Sequence, residues 1–206
     1  MGDQAAIVLY GLAWCAFGIL HSILAGDAAK KTLRPIFGVS YRLVYNLFAV
    51  LTTALVLWAG RALLAEVPDF DISRQTKLLL TVLSVAGWMF LFLGITRYDL
   101  GKFAGTESLR RAKNDLPPED EQALITTGIH GYVRHPLYGA AILALWGAAW
   151  TPLGFWTAVF ASAYLLVGAK LEERRLIQRF GPVYAEYRQR VPAFIPWRGR
   201  AITSRK

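Results

Sequence analysis

Arg134-His135-Pro136-Leu137-Tyr138 stands just ahead of one apolar run, and Leu171-Glu172-Glu173-Arg174-Arg175-Leu176 follows the next. No charged residue falls between positions 136 and 169. Two apolar helices joined by a tight turn would bring both clusters back to one membrane face. An Arg, a His, a Tyr and two Glu would then share one polar pocket. Ionisable groups held beside lipid are expensive and usually functional. Carboxylates can hold ribose hydroxyls or a cation, an Arg can clamp a carboxylate, and aromatic faces attract a sulfonium or ammonium. The set suits a zwitterionic cofactor with a cationic centre. A plainer reading stands beside it. Arg134 can snorkel to water, while Glu172 and Glu173 pair with Lys170, Arg175 or Arg179 along a helix surface.

Composition says what surrounds these residues. The chain has 206 residues, 55% of them hydrophobic and 18% charged, with a mean hydropathy of +0.36. A soluble domain carries about 25% charge, so a single integral membrane domain is expected. The net charge of +9 would suit nucleic acid, but the basic residues gather beside apolar runs. That placement fits anionic lipid head groups and the positive-inside rule. Membrane lipids are therefore expected partners and nucleic acid is not. Cys15 is the only cysteine. It excludes an internal disulfide or a cysteine metal site and reads as a small buried hydrophobe in the first span. His21, His130 and His135 have no metal-ligand spacing, so no metal is expected. The first run lacks a basic leader and a small-residue cleavage site, and reads as a retained span.

The apolar runs cover 5–24, 43–64, 78–95, 137–150 and 153–169. The first two reach the ~20 residues a crossing needs, and the third is slightly shorter. The last two form a hairpin, because Pro152 and Gly154 break helices at the turn between them. The fifth run can continue as helix to Phe180, where Gly181 caps it and Pro182 ends it. Pro136 suits the first turn of the fourth helix, where its missing N–H costs nothing. Residues 112–121 read as an exposed loop. The tail 191–197, with Phe194 and Trp197 among prolines, reads as a segment at the lipid–water boundary. With five spans, alternate sides carry 20 and 3 Lys and Arg. That bias puts the N-terminus outside and the C-terminus in the cytoplasm. The expected fold is all-α: a polytopic helix bundle of about five transmembrane helices in one domain, 1–206. Residues 1–100 supply three spans and 122–206 the cofactor-binding part.

The run Gly131-Tyr132-Val133-Arg134-His135-Pro136-Leu137-Tyr138-Gly139 is followed by Leu171-Glu172-Glu173. Then come Phe180-Gly181-Pro182-Val183-Tyr184-Ala185-Glu186-Tyr187 and Val191-Pro192-Ala193-Phe194-Ile195-Pro196. In this order and spacing they resemble the C-terminal signature of the isoprenylcysteine carboxyl methyltransferase and phospholipid methyltransferase superfamily. Leu20-His21-Ser22, Gly87-Trp88 and Arg97-Tyr98-Asp99-Leu100 more loosely resemble its bacterial branch that includes methanethiol S-methyltransferase. The resemblance implies S-adenosylmethionine as cofactor, in a cytoplasmic-side pocket of a bacterial inner-membrane enzyme. Carried over by position, Tyr132, Arg134, His135, Tyr138, Glu172 and Glu173 would bind it. Arg134, His135 and Glu173 would be the catalytic set, and His21 and Asp99 would face the acceptor. Which Glu faces the cofactor stays open, since adjacent helix positions point about 100° apart.

The implied reaction is in-line methyl transfer to a small or lipophilic acceptor, with a thiol or carboxylate favoured. Positioning alone can lower such a barrier by roughly 7–11 kcal/mol. A thiol must lose its proton, because thiolate is the nucleophile; His135 and His21 are candidate bases. A carboxylate needs none. The non-enzymatic alternative is a small transporter or scaffold subunit. Transporters keep their ionisable groups at mid-membrane, whereas here they lie near one face.

Overall fold

The computed structural model describes residues 2–96, 99–114 and 123–198, and of Lys102 and Phe103 the backbone alone. Arg97, Tyr98 and most of the 112–121 loop lie outside these residues. The helices are α1 (Asp3–Ala25), α2 (Asp27–Phe37), α3 (Tyr41–Leu63), α4 (Arg74–Ile95), α5 (Leu100–Ala104), α6 (Thr106–Lys113), α7 (Pro136–Gly147), α8 (Pro152–Phe180) and α9 (Pro182–Arg190). Among the described residues there is no strand.

Among the described residues, four stretches are long and apolar enough to cross a membrane: α1, the joined α2–α3 unit, α4 and α8. Large apolar side chains point outward along them, Val50 at 65%, Trp58 at 67% and Phe92 at 68% exposure. Lipid is the solvent in which such a surface costs nothing. Four apolar spans of this kind make the chain an integral membrane protein. The expected fifth crossing corresponds to α7, which has only 12 residues and is about 18 Å long, well under the ~30 Å hydrocarbon core.

Two expectations change. The stretch after the first span, read as a loop, contains helix α2, with Asp27 in its first turn and Arg34 in its last. Both charges oppose the helix dipole favourably, and a surface helix results. Cys15, expected to be buried, is exposed: it points away from the α1 face that packs.

That packed face is legible in the spacing. Ala6, Tyr10, Trp14, Phe17 and His21 recur at three and four residues, so they share one side of α1. The first four are buried against α3 and α8. Tyr10 is fully buried and shares a 2.8 Å hydrogen bond with Thr157 of α8. A Cβ on Gly60 would stand 2.4 Å from the Tyr10 ring, so glycine is what lets α3 close on α1.

Helix α7 is held by α4. Ser84 Oγ donates to the Ala144 carbonyl at 2.9 Å. A Cβ on Gly87 would come within 2.3 Å of Ala144 N, and one on Gly147 within 2.1 Å of Ser84 N. Small residues let two membrane helices approach backbone to backbone. On its other side, α7 meets α8 through Trp146 Nε1, which donates to Ser162 Oγ at 3.0 Å. Thr151 caps α8 by accepting from Gly154 N at 3.1 Å. At the far end Gly181 has φ +57°, and the chain restarts at once as α9. Tyr184, Tyr187 and Val191 then pack on Leu176, Ile177 and Phe180.

Candidate active site

Pro136 opens α7, as its fixed φ suits the first turn. His135 is therefore the N-cap residue, and Arg134 lies in the irregular segment before it. That segment is held from behind by the tail. Arg134 N donates to the Pro192 carbonyl and His135 N to the Ala193 carbonyl, each at 2.9 Å. The boundary-lying tail expected from its aromatics is thus also a structural partner of the site.

Glu173, on α8, receives three donors on one oxygen. Arg134 Nη2 lies 2.6 Å from Oε1, Arg134 Nε 2.8 Å and His135 Nε2 3.0 Å. Arg134 Nη1 donates to the carbonyls of Arg188, at 2.9 Å, and Val191. The guanidinium thus ties α8, the α7 entrance and the end of α9 into one network, and is engaged by this chain on all three nitrogens. Charge-assisted, forked bonds of this kind are the strong ones.

His135 is 6% exposed. Its ring stacks on Tyr138 with centroids 5.5 Å apart and planes 9° apart, and Phe194 of the tail lies 5.6 Å away. Tyr138 OH donates to Glu172 Oε2 at 3.1 Å. The same Glu172 oxygen lies 3.8 Å from His135 Nδ1. The two glutamates therefore differ in setting. Glu173 is 13% exposed and enclosed by donors, whereas Glu172 is 48% exposed. Glu172 borders a cavity of about 570 Å³, with Asp27, Lys30, Arg175, Leu176, Gln178 and Arg179 as its other walls. That volume is in the range of small-molecule sites.

The two polar islands thus meet as the hairpin required: Arg134, His135, Tyr138, Glu172 and Glu173 form one cluster. Tyr132 is 42% exposed, and among the described residues no bond or ring contact ties its side chain to that cluster. Asp99 falls in a second charged group, acting on Glu107 and Arg110 beside α5 and α6. His21 bonds through Nε2 to Tyr45 OH at 2.5 Å and packs among Phe17, Tyr45 and Tyr164. Sequence reasoning did not single out Tyr45 or Tyr164, which look like ordinary aromatics within apolar runs. One signal was available: Tyr164, Gly168 and Glu172 recur every four residues and so share a face of α8.

Burial shifts the groups around the cluster. It pushes the Tyr184 hydroxyl up to about 12, with the Glu173 charge adding to the rise. It holds His130 below its ordinary 6.5, a fall that the Arg134 backbone and Glu172 partly oppose. The unfolded chain then takes a proton at His130 before the folded one does, so stability is lost as pH falls below 6.5. Thermal unfolding between neutral pH and about pH 5 checks this. The wild type should lose more melting temperature than His130→Gln, and equal losses would remove His130 from the balance.

No family model and no solved structure matches the chain. Curated relatives do. It is 32% identical over 205 residues to methanethiol S-methyltransferase 1 of Bradyrhizobium diazoefficiens, covering 94% of this chain and 68% of that one. It is 30% identical to methanethiol S-methyltransferase 2 of the same organism, with 93% and 73% covered. It is 27% identical to the methanethiol S-methyltransferase of Pseudomonas deceptionensis, with 87% and 69% covered. At 76% coverage it also resembles Nurim of Xenopus laevis, 23% identical. With matches over about nine-tenths of this chain and two-thirds of the first relative, the chain belongs to the methanethiol S-methyltransferase family, within the isoprenylcysteine carboxyl methyltransferase-like membrane methyltransferases.

Proposed function

We propose that this enzyme transfers a methyl group from S-adenosylmethionine to a small thiol at the cytoplasmic face of a bacterial inner membrane. The chain would cross five times, α7 forming the short crossing, with the N-terminus outside. The charge bias of 20 against 3 basic residues supports that orientation. The relatives' names carry the thiol. The observation that carries the site is Glu172, which accepts from Tyr138 OH and lines a cavity whose other walls include Lys30, Arg175 and Arg179.

The residues present fit the donor. Glu172 and the Tyr138 ring offer a negative charge and an aromatic face, which a sulfonium prefers. Glu172 also has acceptor capacity for ribose hydroxyls, and the cations of the cavity wall suit an amino-acid carboxylate. When bound, the cofactor supplies a methyl group on an already activated sulfur. This chain's task is then to bind, orient and exclude water. Glu173, held by Arg134, fixes the His135 ring, and His135 in turn sets the Tyr138 ring by stacking on it. Arg134 and Glu173 are in this reading the frame of the site, and Tyr138 and Glu172 its contact surface.

The test is calorimetric titration with S-adenosylhomocysteine. Glu172→Gln should weaken binding about 10–100-fold, the loss of a charged hydrogen bond worth about 1.5–3 kcal/mol. Unchanged affinity would remove Glu172 from the donor site.

A further inference from the structure

Beyond the donor cavity, α8 continues toward a second group of rings. Tyr164, Gly168 and Glu172 stand one above another on its face. Glu172 is at the donor end and Tyr164 at the other. Between them, a Cβ built on Gly168 meets nothing within 4 Å. A mid-helix glycine usually admits a packing neighbour; this one fronts open space. The helix therefore leaves open space beside Gly168, with Glu172 one turn away on one side and Tyr164 one turn away on the other.

Those neighbours come from two other helices. The His21 ring of α1 lies 5.0 Å from Tyr45 of α3 and 5.7 Å from Tyr164, and Phe17 lies 5.1 Å from Tyr164. The open face of α8 thus leads from Glu172 to Tyr164, whose ring meets Phe17 and His21 beside Tyr45. Its far walls are aromatic, with one short hydrogen-bonded pair set into them. Tyr45 OH and His21 Nε2 lie 2.5 Å apart, and a phenol O–H can donate to an imidazole nitrogen there, the tautomer this inference takes. Nε2 is then the basic nitrogen and Nδ1 carries the hydrogen. Nδ1 is fully buried and has no hydrogen-bond partner. A proton arriving at His21 therefore comes through Tyr45.

Resting on the thiol-methylation reading above, we infer that the gap over Gly168 is the acceptor pocket and that the Tyr45–His21 pair takes the thiol proton. The pocket has apolar walls and one proton relay, which suits a small uncharged alkyl thiol. As the thiol S–H bond breaks, its proton passes to the Tyr45 oxygen and Tyr45's own proton passes to His21 Nε2. The freed sulfur pair forms the new S–C bond while the donor's C–S bond breaks, its pair staying on the donor sulfur. The positive charge leaves the sulfonium and appears on the imidazolium, so charge is conserved. Tyr45 and His21 are catalytic in this scheme, and Gly168 sets the size of the acceptor.

The test varies acceptor acidity. An alkyl thiol needs the relay; an arenethiol, already largely thiolate at neutral pH, does not. Tyr45→Phe and His21→Gln should lose about 10²-fold or more in kcat/KM with alkyl thiols, and only a few-fold with an arenethiol. Calorimetric affinity for S-adenosylhomocysteine should not change. Gly168→Ala removes a helix-weakening glycine and should raise the melting temperature while lowering kcat/KM for longer alkyl thiols. A defect of equal size with both acceptor classes overturns the relay, as does lost homocysteine-product affinity in either variant. Unchanged kcat/KM for longer thiols in Gly168→Ala overturns the pocket. If the wild type methylates no thiol at all, the preceding functional reading fails first, and this inference with it.

Discussion

Arg134→Ala should abolish methyl transfer by dismantling the site's frame. The guanidinium joins Glu173, the Arg188 and Val191 carbonyls and the α7 entrance. Its removal leaves Glu173 enclosed with a negative charge that His135 alone must answer. Breaking a buried ion pair from one side typically costs about 3–5 kcal/mol, and two carbonyls lose a donor besides. We expect a melting temperature several degrees lower in detergent and no measurable turnover. Arg134→Lys keeps the charge but lacks the fork, so it should recover part of the stability and little of the activity. Limited proteolysis gives an independent reading: in Arg134→Ala the tail after α9 should become cleavable, since Pro192 and Ala193 then lose the rigid edge they pair with. A variant with native stability and a protected tail would show that Arg134 frames nothing.

Gly147→Leu should be at least as damaging, although the residue touches nothing that reacts. A Cβ there would lie 2.1 Å from Ser84 N and 2.5 Å from Ser84 Cα. Both are backbone atoms, which cannot swing aside as a side-chain tip can. Overpacking of a well-fitted interface costs typically 1–3 kcal/mol, and a backbone clash belongs at or above the top of that range. Helix α7 must move off α4, and with it His135 and Tyr138 at its head. Turnover should fall to background while Gly168→Ala, in the open part of α8, stays folded. Measuring both by unfolding in detergent and by turnover separates a glycine needed for close approach from one that leaves space. Native stability in Gly147→Leu would mean α4 and α7 do not pack backbone to backbone.

Several elements were readable from residue order alone. The hairpin turn at Thr151 and Pro152, the helical extension to Phe180, the stop at Gly181 and the start at Pro136 all follow from local rules of proline and glycine geometry. The convergence of Arg134 and His135 with the two glutamates followed from the tight turn that folds the two apolar runs between them into a hairpin. The division of labour between Glu172 and Glu173 did not. It depends on which carboxylate faces Arg134 once α8 has chosen its rotation, a tertiary choice that adjacent positions cannot announce. Helix α2 was missed because its apolar face is narrow and flanked by Lys30, Lys31 and Arg34, a pattern that reads as a charged loop. Tyr45 and Tyr164 were missed because an aromatic in an apolar run carries no mark of function until its neighbours are known. Asp99 matched a loose motif, and its charge acts on Glu107 and Arg110.

The brevity of α7 has a consequence for the bilayer itself. As the proposed fifth crossing, its 12 residues would fall roughly 12 Å short of the hydrocarbon depth, and the membrane would have to meet it. Either the leaflet dips to reach the polar cluster at its head, or water follows the cluster inward. On that proposal, lipid thickness would set how far the methyl donor travels from bulk solution to Tyr138, and chain length in the surrounding phospholipids would become a determinant of turnover.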